Sequence, residues 1–352
     1  METPVIVRPQ ENAATLSRRH LLAVSAGVIL ASVRPASARP QSESTPGAGS
    51  AGGWTFTDDH GATVSLPERP ERIVAYVGSA ATLWDYGIHP VGVFGPLRRE
   101  DGSPNPLAGT IDPDAVISLG EGWNEVDLEA LVALRPDLIV STTYSPDIAG
   151  DLWGLEPDVA AQAAQIAPVV AISTFETAVD ASLSRFEDLA QALGADLQAP
   201  AVVAARERFA RASDEVRTAA AAKPDLSVVV MSAWPEAIYV ANPPAASDLA
   251  YFQQLGVNLV APDNPDSYWE ELSWEQALKY PADLLLLDER DGGYTAANLD
   301  ELPATLAAHP AVQTGQVANW YTEFVLSYGA FAAVLEELAA ALRDADETVV
   351  VE

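Results

Sequence analysis

The chain contains no cysteine in its 352 residues. That absence excludes disulfides, thiolate metal sites, cysteine nucleophiles and the lipid-bearing cysteine that tethers many exported proteins to a membrane. Histidine is scarce too: after the N-terminal region only His60, His89 and His309 remain, which poorly supplies a zinc site or an imidazole general base. Lysine occurs only as Lys223 and Lys279, and 19 basic residues stand against 50 acidic ones, a net charge of −31. Nucleic acid and anionic lipid are poor partners for such a surface. Beyond the N-terminus there is no long apolar run of membrane-spanning length. The Gly-x-Ser-x-Gly, His-Glu-x-x-His and Walker patterns are also missing. Gly47 to Gly52 matches Gly-x-Gly-x-x-Gly in form, but no strand precedes it.

The first 38 residues have the parts of an export signal in order. Ser17-Arg18-Arg19-His20-Leu21-Leu22 supplies a twin arginine, Leu21 to Val33 a moderately apolar stretch, and Ala36-Ser37-Ala38 the small residues of a cleavage site. Removing them takes away four Arg and two Glu, leaving 15 basic and 48 acidic residues, or −33. Residues 39–53, rich in Ser, Gly and Pro, read as a disordered leader. The expected location is outside the cytoplasmic membrane, without a lipid anchor.

The body alternates strands and helices, which predicts a mainly parallel α/β sheet in each of two lobes. The lobes are expected at 54–199 and 223–352, joined by one long helix at 200–222. One motif occurs in each. The first copy runs from Asp127-Leu128-Glu129-Ala130-Leu131 to Arg135-Pro136-Asp137-Leu138-Ile139, the second from Ser273-Trp274-Glu275-Gln276-Ala277 to Tyr280-Pro281-Ala282-Asp283-Leu284. Each reads as a short helix opened by Glu, a proline break and a buried strand. Gly87, closing one helix and leading to Val91, has a counterpart in Gly256, which leads to an expected strand at 257–260.

Paired carboxylates such as Asp58-Asp59, Glu270-Glu271 and Glu336-Glu337 are too common here to mark a catalytic centre. Aromatics are more selective. Trp123, Tyr144, Trp234, Trp269, Trp320 and Tyr321 fall in loops at or near strand ends. Open α/β sheets bind ligands beyond the carboxyl ends of their strands, so these rings are candidates to line one cleft.

With these phrases, and with Arg72-Ile73-Val74-Ala75 and Tyr86-Gly87-Ile88-His89-Pro90-Val91-Gly92-Val93, the chain resembles the solute-binding proteins of iron-siderophore and cobalamin ABC importers over about residues 54 to 345. The resemblance implies no enzyme, a ligand held between two lobes, a single bridging helix with modest closure, and a monomer. It implies that Glu129 and Glu275 dock on permease arginines, that Trp123 touches ligand, that Tyr144, Trp269 and Trp320 are further ligand aromatics, and that Arg98 or Arg99 holds hydroxamate oxygens. The lipobox cysteine expected in relatives from single-membrane bacteria is absent.

A ferric trishydroxamate is neutral or cationic, whereas a ferric triscatecholate is strongly anionic, so the charge of the chain favours the first. Iron would then be held by the chelate alone, with no cofactor or metal bound by side chains. Haem or cobalamin is the alternative on the same fold, with Tyr76 or Tyr144 offered to haem iron. An exported carbohydrate-active enzyme, using Trp platforms and paired acids, is the alternative from another class.

Overall fold

Two five-stranded sheets carry the protein, and the reason for their similarity lies in the repeated motif. The computed structural model describes residues 53–59, 61–99, 102–144, 152–265 and 267–350; the signal at 1–38, the leader up to residue 52 and His60 lie outside them. An antiparallel hairpin, β1 (Trp54–Thr57) and β2 (Thr63–Leu66), opens the first lobe. Its sheet is wholly parallel. It contains β3 (Ile73–Tyr76), β4 (Gly92–Phe94), β5 (Ile117–Ser118), β6 (Leu138–Thr143) and β7 (Val169–Ser173), in the order β5-β4-β3-β6-β7. Around it lie α1 (Val77–Asp85), α2 (Leu128–Leu134), α3 (Pro157–Ile166) and α4 (Val179–Ala192). Strands β3, β4 and β6 are buried along their whole length, as expected of a parallel sheet covered on both faces.

Helix α5 (Pro200–Ala222) follows, and 23 residues make it about 35 Å long. The second sheet is assembled from β8 (Val228–Ala233), β9 (Ile238–Ala241), β10 (Trp269–Leu272), β11 (Leu284–Asp288) and β12 (Val317–Trp320), ordered β10-β9-β8-β11-β12. Its helices are α6 (Ser247–Gln254), α7 (Ala304–Ala307), α8 (Pro310–Gln313) and α9 (Tyr328–Asp344). Strands β8, β11 and β12 are parallel, while β9 and β10 are antiparallel additions at one edge.

The aspartates of the motif explain its recurrence. Asp137 accepts from the backbone N–H groups of Glu71 and Arg72 at 3.0 and 2.9 Å, tying the start of β6 to the residues just before β3. Asp283 does the same before β8, accepting from the N–H and hydroxyl of Ser227 at 2.9 and 2.6 Å. A carboxylate at that place satisfies donors that the parallel ladder leaves open.

Two expectations fail. The second copy of the motif forms a 3₁₀ turn, Trp274–Gln276, instead of an α-helix. From cap to proline this copy is one residue shorter than the first, and the Trp274 indole is committed to the Pro235 carbonyl at 3.2 Å. The strand expected at 257–260 shrinks to a single bridge, Val228 to Leu259, because Pro262 cannot donate to a ladder.

Helix α9 adds a second connection. It lies along α5, joined by two bonds from Arg208 to Glu336 at 2.7 and 2.6 Å and by Arg343 to Glu215 at 3.3 Å. Lys223, one of the two lysines, donates to the carbonyls of Leu342, Arg343 and Ala345, where cationic charge complements the end of α9. Just before α9, the Ser327 hydroxyl donates to Asp85 at the end of α1, 2.5 Å away. The lobes are therefore held by two packed helices and a direct bond, and one apolar core runs through the first lobe, α5, α6 and α9.

Candidate functional site

Loops beyond the carboxyl ends of the two sheets touch each other. Arg99, in the loop after β4, donates two bonds to Asp291, after β11, at 2.8 and 2.9 Å, with Glu289 at 3.9 Å. The adjacent arginines differ in their partners. Arg99 reaches the opposite lobe, whereas Arg98 is engaged within its own lobe by Asp114 at 2.7 Å and the Gly102 carbonyl at 3.2 Å.

The first-lobe wall is aromatic. Tyr76, ending β3, lies 6.1 Å from Phe94, ending β4, and 6.2 Å from Trp123. Trp123 is 5.9 Å from Trp153, and Trp153 is 4.8 Å from Tyr144. Tyr76 is buried, but Trp123, Tyr144 and Trp153 are 38, 45 and 36% exposed, a contiguous patch of large rings at the sheet's mouth. Such a patch marks a binding surface more often than ordinary packing. Gly154 makes it possible: its φ is +78°, and a Cβ there would meet Tyr76 Cδ2 at 2.8 Å. Trp153 was not among the sequence candidates, although it shares the loop after β6 with Tyr144 and the strand-end rule covers it.

The second-lobe wall mixes rings with charge. Trp269 packs edge-on to Tyr268 at 4.9 Å and to Trp320 at 5.6 Å. Trp320 itself is 2% exposed and donates its Nε1–H to Asp248 at 2.7 Å, so it backs Trp269 and offers no face of its own. Tyr321 turns toward α9, donating to Glu337 at 2.6 Å; burial and that carboxylate push its phenol up to about 12. Trp234 donates to the Ser232 hydroxyl at 2.8 Å and carries the Arg290 guanidinium 5.5 Å from its ring centre. Arg290 is ion-paired with buried Asp288 at 2.6 Å. Burial works against the guanidinium's charge, and Asp288 outweighs it. Arg290, like Glu323 beyond β12, escaped the sequence candidates. Burial pushes the Glu323 carboxyl up to about 7, with Arg290 opposing the rise and Asp288 and Glu289 adding to it.

His309 and His89 have structural surroundings. His309 is fully buried, with Nε2 3.1 Å from the Tyr280 carbonyl, and His89 stacks on Trp84 at 4.1 Å. Among the described residues no group of three or more His, Asp or Glu is placed to hold a metal ion, and no helix is long and apolar enough to cross a membrane.

Glu129 and Glu275 are both exposed, one in the first turn of α2 and the other in the 3₁₀ turn of the second lobe. Neither is the cap. Asp127 accepts from Ala130 N–H at 2.9 Å, and Ser273 with Gln276 forms a capping box.

Two α/β lobes bridged by a long helix, with large exposed rings at strand ends, have the architecture of a binding protein. The pattern of one family, described as periplasmic binding protein, matches residues 74–322, and the chain belongs to that family. Among solved structures, DesE, a ferric-siderophore receptor protein from Streptomyces coelicolor, is 39% identical, with a TM-score of 0.78 over 84% of this chain and 99% of that one. The catecholate-siderophore binding protein VctP from Vibrio cholerae is 19% identical, with a TM-score of 0.57 over 82 and 98%. FhuD from Vibrio cholerae, solved with Fe3+-Desferal, is 23% identical, with a TM-score of 0.53 over 80 and 99%. The last two share the fold. No curated sequence matches the chain.

Proposed function

We propose that this protein is exported by the twin-arginine route, captures a ferric siderophore of hydroxamate type in the cleft, and delivers it to an ABC importer. The observation that carries the reading is the exposed patch of Trp123, Tyr144 and Trp153 at the strand ends. Flat rings suit the apolar arms of a hydroxamate chelate, and the 39% identity to DesE supports the class of ligand. Iron stays within the chelate. A triscatecholate is opposed by Glu289, Asp291 and Glu323, which flank Arg99 and Arg290 in the same cleft. Haem is less well served: burial pushes the Tyr76 phenol well above its ordinary range, against the phenolate that iron would require. Glu129 and Glu275 are exposed on turns whose caps are Asp127 and Ser273, a placement that suits contact with permease arginines, Glu275 being held locally by the Ser273 hydroxyl and its own backbone N–H.

The experiment is a fluorescence titration of the chain lacking residues 1–38 with ferrioxamine, ferrichrome, a ferric catecholate, haem and cobalamin. Saturable submicromolar quenching by the ferric hydroxamates is expected. A tighter response to any of the other three would replace the ligand assignment, and no response at all would end it.

A further inference from the structure

Charge in the cleft does not balance. Arg290 is neutralised by Asp288 at 2.6 Å and Arg99 by Asp291 at 2.8 Å. Glu289 and Glu323 are left over, both partly buried and both with the carboxyl pushed up, chiefly by burial. Glu289 keeps only a distant share of Arg99, at 3.9 Å. Glu323 receives no hydrogen bond at all from the described residues, while its neighbours within electrostatic reach are Arg290, Asp288 and Glu289 of its own lobe and Tyr76 of the other. Partly buried and with no hydrogen-bond donor among the described residues, this carboxylate keeps only part of its water and has room for a donor that a ligand supplies.

A second observation concerns the neighbours of Glu323. The Tyr76 side chain is 5% exposed, its hydroxyl makes no hydrogen bond among the described residues, and it feels the charge of Glu323. The Thr322 hydroxyl beside Glu323 is also shut off from solvent without a partner. Buried hydroxyls are ordinarily satisfied. The Thr322 hydroxyl is next in sequence to the open Glu323 carboxylate, and the Tyr76 hydroxyl, without a hydrogen bond among the described residues, brings the aromatic wall within electrostatic reach of that carboxylate.

Building on the hydroxamate reading, we infer that Glu323, seconded by Glu289, reads the charge of the ligand, and that the preferred substrate is a ferric chelate bearing a cationic amine. The ammonium donates to the Glu323 carboxylate and restores the balance of the cleft, with the chelate's apolar arms on Trp123, Trp153 and Tyr144. A neutral chelate of the same shape leaves Glu323 unpaired, and an anionic one adds repulsion from Glu289.

The test compares three forms of one chelate: ferrioxamine B with its free terminal ammonium, the N-acetylated neutral form and the N-succinylated anion. Affinities are measured by tryptophan quenching at pH 8 and low salt. The expected order is cation, neutral, anion, with about tenfold between the first two, the scale of one partly buried charge pair. Glu323→Gln should bring the ratio of cation to neutral toward one, and Glu289→Gln should lower it less. In the wild-type protein the ratio should shrink at pH 6, where Glu323 takes up its proton. Equal binding of all three forms, or a cation preference that survives Glu323→Gln, overturns the inference and leaves the hydroxamate reading intact. Failure of all three to bind removes both.

Discussion

Replacing Asp248 with asparagine should stabilise this protein, by an amount that grows with pH. Asp248 is 3% exposed in the first turn of α6 and accepts the Trp320 indole N–H at 2.7 Å. Burial pushes its carboxyl from 3.8 up to about 6, and the bonds from Trp320 and the backbone N–H groups of Leu249 and Asp248 only partly offset that rise. The folded acid thus holds its proton more tightly than the unfolded one, so the group contributes most to stability below the unfolded value and loses that contribution as pH climbs through about 6. A rise of about two units, at about 1.4 kcal/mol each, is a loss of about 3 kcal/mol. Asparagine keeps an oxygen for Trp320 and never ionises. Urea unfolding of both proteins, followed by far-UV circular dichroism from pH 4 to 8 at constant ionic strength, isolates this group, because the other carboxylates cancel in the difference. The Asn-minus-Asp difference should climb by about 2.5 kcal/mol over that range, the first part of the loss having occurred by pH 4. A flat difference, or one that falls, would mean that Trp320 and the helix N-terminus hold the carboxylate charged despite its burial, and the reasoning would be wrong.

The cleft and docking surfaces give further expectations. Trp153→Ala removes an indole whose exposed third, on the order of 90 Å², contributes about 2 kcal/mol when a ligand covers it, so affinity for a ferric hydroxamate should drop about 30-fold; an unchanged titration would place the ligand elsewhere. Gly154→Ala puts a side chain at φ +78° and 2.8 Å from Tyr76, and should cost about 1–3 kcal/mol in urea unfolding while also weakening ligand by displacing Tyr76. Glu129→Arg combined with Glu275→Arg should leave the fluorescence titration as it is and abolish iron-siderophore uptake by whole cells; normal uptake would assign permease contact to other residues.

Sequence reasoning located the strand ends well because parallel strands announce themselves as short apolar runs, and the Leu284–Leu287 run of β11 needs no partner to be recognised. The long helix was equally legible, Pro200 standing at its first turn and Ala-rich turns continuing to Ala222. What the strand-end rule cannot supply is which way a ring points. Trp269 and Trp320 both sit at strand termini, yet Trp320 is buried because its Nε1–H finds Asp248, 72 residues earlier in the chain. That partner is invisible to any local pattern. Arg290 was hidden for a different reason. Arg98 and Arg99 enter through the family resemblance, while Arg290 sits among Asp288, Glu289 and Asp291, a run that reads as solvated acid. Its placement over Trp234 depends on the bond of Ser232 to Asp288, and thus on the register that sets β8 beside β11. Net charge has the same limit. A total of −31 says that an anion approaches unfavourably, but only pairing Arg99 with Asp291 and Arg290 with Asp288 reveals which carboxylates remain for a ligand to meet. Specificity in this cleft is accordingly decided by leftover charges, Glu289 and Glu323, which are singled out only once Arg99 of the other lobe has neutralised Asp291.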